Sequence, residues 1–60
     1  MNNSIHIVTL TFPEMDDYTT VLAVTPTYEE AKAALAVASK HYAILFTSTI
    51  REYTVNQLYL

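Results

Sequence analysis

Thr25-Pro26-Thr27-Tyr28-Glu29-Glu30-Ala31 decides how this chain folds, because it closes one periodicity and opens another. Thr25 stands before proline and is held extended, so a strand ends there. Thr27 followed three residues later by Glu30 is a capping-box pattern, with Thr27 as N-cap and Glu30 at the third helical position. The spacing predicts a helix from Tyr28 to about Lys40, favoured by Ala31, Ala33, Ala34, Ala36 and Ala38. Glu29 and Glu30 at its start and Lys40 and His41 at its end suit the helix dipole. The chain contains no glycine, so Lys40 or His41 is expected to end the helix in a left-handed or otherwise irregular conformation.

Upstream, Ile5 to Phe12 is β-branched, apolar and free of breakers, and reads as a first strand ending at Pro13. Pro13-Glu14-Met15-Asp16-Asp17 is a short turn, and Tyr18 to Val24 a second strand in an antiparallel hairpin. Downstream, Ala43 to Val55 reads as a third strand, long or bulged, and Asn56 to Leu60 as either a tail or an extension of it. A right-handed crossover from the second strand brings the third beside the first. The predicted fold is α+β: a three-stranded antiparallel sheet in the order 2-1-3, connected β-β-α-β, with one helix on one face of a single domain spanning residues 1–60. Turning Leu35 to the sheet aligns Tyr28, Ala31, Ala38 and Tyr42 against Val8, Leu10, Phe12, Ile44 and Phe46, the candidate core.

Sixty residues bound what such a domain can do. Folding hides only roughly 60% of the surface of a chain this size, and the hydrophobic gain is about matched by the cost of ordering. The chain has no cysteine for a disulfide or metal staple, so association with another chain is the expected source of further stability. No apolar stretch approaches the ~20 residues of a membrane span, and Met1-Asn2-Asn3-Ser4 is no basic leader; a soluble, cytoplasmic protein is expected. A net charge of -3, with Lys32, Lys40 and Arg51 as the basic residues, argues against direct nucleic-acid binding.

Catalytic chemistry would have to come from Ser4, Ser39, Ser48, His6 and His41, which form no nucleophile motif and no metal spacing. His6 is read as an edge-strand residue and His41 as a helix terminus. A chain of this size is also expected to lack walls for a ~300 Å³ pocket. No enzyme, cofactor or metal site is expected.

Three surfaces remain as candidates for contact. The hairpin tip carries Glu14, Asp16 and Asp17 beside Met15 and Tyr18, a pattern suited to docking on a basic protein surface with carboxylates standing in for phosphates. Glu29 and Glu30 are expected to extend that acidity. The outer side of the helix bears Ala33, Ala36 and Val37, and the far face of the sheet Ile5, Ile7, Leu45 and threonines 9, 11, 47 and 49. Ala33, Ala36, Val37 and Leu45 are the expected interface of a two-fold homodimer.

The order hairpin, capped alanine-rich helix, final strand, with Thr27-Tyr28-Glu29-Glu30-Ala31 at the helix entry, resembles the small host-takeover proteins of bacteriophages, including the RNA polymerase inhibitors of T7-like phages. The resemblance implies a non-enzymatic inhibitor or modulator that occludes or remodels a host enzyme by protein contact in the host cytoplasm. It carries no residue roles. The alternative is a self-associating structural or regulatory subunit with no external enzyme target.

Overall fold

The computed structural model describes residues 3–55, so the reading of Asn56 to Leu60 lies outside the described residues. Strand β1 spans Asn3–Phe12, a 3-10 turn Pro13–Met15, strand β2 Tyr18–Thr25, helix α1 Tyr28–His41 and strand β3 Thr47–Val55. The sheet is antiparallel throughout, in the order β2-β1-β3, with α1 lying over β2 and β1. The predicted fold class and strand order are those observed.

β1 alternates cleanly between two faces. Val8, Leu10 and Phe12 point at the helix and are buried with Ala31 and Ala38. Leu22, Leu35, Ile44 and Phe46 pack around Leu10, Phe12 and Ala38 as partly buried neighbours. Tyr28 and Tyr42 cap the ends of this stripe, and both keep substantial exposure. Alanines on the helix let it approach the sheet closely, at the expense of apolar volume. Val8 and Leu10 are the largest side chains fully shielded from solvent.

The helix begins as its sequence directs. The Thr27 hydroxyl accepts a hydrogen bond from the Glu30 amide at 3.2 Å and donates to Glu30 Oε2 at 3.2 Å. The carboxylate thus engages the cap hydroxyl, while the Thr27 carbonyl accepts from the Ala31 amide. The helix ends differently from expectation: neither Lys40 nor His41 turns left-handed. Tyr42 becomes extended at φ -93° and its amide reaches the Ala38 carbonyl at 2.9 Å. Positive φ is found instead at Asp16 (56°) and Asp17 (57°) in the hairpin turn.

Two further departures have physical causes. β3 starts at Thr47 rather than Ala43, because β1 has no partner to offer beyond the Thr11–Thr47 pair. Past that row Phe12 pairs only with Tyr18 and Pro13 turns the chain away, so Ile44 and Phe46 fold inward against the core. The irregularity expected in the third strand lies in the β1–β2 ladder: Val8 pairs with Ala23 and Thr9 with Val21, leaving Leu22 as the extra residue of a bulge. Leu22 stays on the core side, and Val21 and Val24 both join the opposite face.

With so few fully buried side chains, each one matters. Leu10→Ala is expected to cost about 2–5 kcal/mol, a large part of what a domain this size holds in reserve. Val37→Ala on the exposed helix surface should stay within about 0.5 kcal/mol. Urea denaturation followed by circular dichroism separates the two.

Candidate protein-contact surfaces

The hairpin tip is a defined structure rather than a slack loop. Pro13 fixes the entry to the 3-10 turn, and Asp16 and Asp17 take left-handed conformations in succession. Aspartate tolerates that region better than most residues, although glycine would do so at less cost. The base of the tip is braced by an aromatic cluster. Phe12 stacks on Tyr18 at 6.5 Å and meets Tyr42 at 5.5 Å and Phe46 at 6.0 Å. Tyr18 is therefore partly committed to the fold, with 55% of its surface left open; Met15 is 53% exposed. Among the described residues, Glu14, Asp16 and Asp17 form no ion pair.

Glu29 and Glu30 do not extend this patch. β2 runs from Tyr18 at the tip to Thr25, roughly 27 Å for eight residues, so the helix starts at the opposite end of the sheet. There Glu29 pairs with Lys32 at 3.5 Å, and the Lys32 ammonium lies 4.9 Å from the centre of the Tyr28 ring. The helix then returns toward the tip, with Lys40 and His41 in its last turn and Tyr42 beside Phe12. The acidic patch is confined to the turn.

Of the expected interface residues, Ala33, Ala36 and Val37 lie exposed on the outer helix surface, and Leu45 is 65% exposed in the segment before β3. The structure does not bring these two sets together. The far face of the sheet carries Ile5, Ile7, Thr9, Thr11, Thr47 and Thr49 as expected, together with Val21, Val24, Arg51 and Tyr53. It holds a shallow groove of about 310 Å³ lined by Ile7, Thr9, Thr49, Arg51 and Tyr53. It is an open groove formed by side chains on one sheet face, distinct from the walled ~300 Å³ pocket that a chain of this size is not expected to build. Sequence reasoning missed Val21 and Val24, because their shared side depends on the bulge at Leu22.

His6 is not an edge residue. It sits on the central strand facing the helix, its side chain 12% exposed, with Nε2 3.8 Å from Glu52 Oε2 and its ring 5.9 Å from Tyr28. Its Nδ1 is buried without a hydrogen-bond partner. An unpaired polar atom in such a place costs stability. Among the described residues no cluster of His, Asp or Glu could hold a metal ion, and no helix is long and apolar enough to cross a membrane. His6→Leu, which removes the orphaned nitrogen, is expected to raise stability by about 1 kcal/mol; thermal melts of the two proteins check it.

No protein-family model, no curated protein and no solved structure matches this chain significantly.

Proposed function

We propose that this chain is a non-enzymatic protein-binding module, a bacteriophage-type modulator of a larger host enzyme, which it engages through its hairpin tip. The observation that carries the reading is the backbone of the turn. Two successive aspartates, Asp16 and Asp17, occupy left-handed conformations in a chain without glycine, where glycine would relieve the strain. Holding carboxylates there has a conformational cost, and the return is a fixed display of negative charge with the Met15 side chain beside it. Glu14, Asp16 and Asp17 are solvated and free of internal partners among the described residues, so their charge is available to a basic protein surface. The aromatic brace under the tip limits the entropy lost on docking.

Charge and geometry at the tip are separable by mutation. Replacing Asp16 and Asp17 together by glycine keeps the turn and removes the charge; stability is expected to rise by about 1 kcal/mol while partner binding falls. Replacing both by lysine should abolish binding with the circular dichroism spectrum unchanged. Affinity capture from a bacterial lysate, wild type beside both variants, reads the outcome. One stoichiometric protein lost with both variants supports the proposal, and equal recovery by all three chains refutes it.

A further inference from the structure

The far face of the sheet has the properties of a surface that loses its water. Val24, Ile7 and Arg51 form one row across it, and Val21, Thr9 and Thr49 the next. Val21 and Val24 are 57% and 58% exposed. Four of the threonine hydroxyls on this face are satisfied from within, since those of Thr9 and Thr49 hydrogen-bond to each other and those of Thr11 and Thr19 meet at 2.9 Å. Burying a hydroxyl is costly chiefly when its partner is lost, so this threonine field can be dried at little expense. Carboxylates keep away from it. Glu14, Asp16 and Asp17 are in the turn, Glu29 and Glu30 at the helix start, and Glu52 pairs across from His6 on the helix side.

We infer that this face docks on the same face of a second copy, forming a two-fold sandwich with the sheets inside and the helices outside. Shape points to it. Val21 and Val24 stand proud on β2, while the groove lies on the β1–β3 side of the same face. A two-fold axis running along the strands places β2 of each copy over β3 of the other, seating the valines in the opposite groove twice over. Among the described residues Arg51 is the one charged residue of the face, and it lies on an edge strand, where its aliphatic stem can be covered while the guanidinium reaches the rim. A face whose single charge can reach the rim needs no oppositely charged partner, which favours a second copy over a different protein. In this arrangement both hairpin tips emerge at one end. The inference does not depend on the function proposed for them.

Sedimentation velocity across a wide dilution series tests it, with wild type, Val21→Glu, Val24→Glu and Val37→Glu compared. Wild type should run at twice the chain mass. Each sheet-face glutamate should weaken the dimer at least ~30-fold, with the fold retained because these positions are already more than half exposed in the single chain. Val37→Glu, on the helix surface, should leave the dimer unchanged. A second measurement needs no variant: in a mixture of isotope-labelled and unlabelled chains, Val21 and Val24 methyls should show intermolecular contacts to Ile7 or Tyr53. A wild-type monomer at every concentration overturns the inference, as does a dimer dissociated by Val37→Glu and not by Val21→Glu, or one without those methyl contacts.

Discussion

Everything in this molecule hangs on β1 being hydrogen-bonded along both edges. Its partners are β2 through Phe12–Tyr18 to His6–Thr25 and β3 through Asn3–Val55 to Thr11–Thr47. A central strand fixes two faces at once. Val8, Leu10 and Phe12 go beneath the helix, and Ile5, Ile7, Thr9 and Thr11 go to the side where no helix or strand among the described residues covers them. Pro13 then ends the pairing, places the acidic turn and limits how far β3 can extend.

That asymmetry links folding to function. A single alanine-rich helix supplies close approach and little volume, so the core is small for the surface it must support. A domain in this position would gain stability from any surface it shares with another chain. The tip and the bare face differ in chemistry. The tip is charged, wet and backbone-strained, suited to recognition of a basic partner; the face is neutral, threonine-paired and ridged, suited to a copy of itself.

How far the sequence revealed this depended on whether the signal was local. The helix start was legible because Thr27 and Glu30 are three residues apart and the hydrogen bond between them forms within one turn. The alternation of Ile5 to Phe12 revealed the strand and its core residues, and a hairpin followed by a right-handed crossover gave the strand order. The bulge at Leu22 was not legible, because it satisfies the pairing of two strands and the helix above them together, and no residue in β2 announces it. The side of the sheet taken by Val24 went with it. The place of His6 was misjudged for a similar reason: only the assembled sheet shows that its strand is interior. The acid patch was read too large because adjacency was judged from charge, whereas Glu29 stands a full strand length from Asp17.

The central claim is that β1 is the most protected element and that both flanking strands depend on it. Residue-resolved amide hydrogen exchange of the wild-type protein tests this most directly. The account predicts that the amides of Ile5 to Thr11 exchange slowest, with those of β2 and β3 slow only where they bond to β1 and fast along their outer edges. Slow exchange confined to α1, with β1 exchanging as fast as the segment between His41 and Thr47, would contradict it.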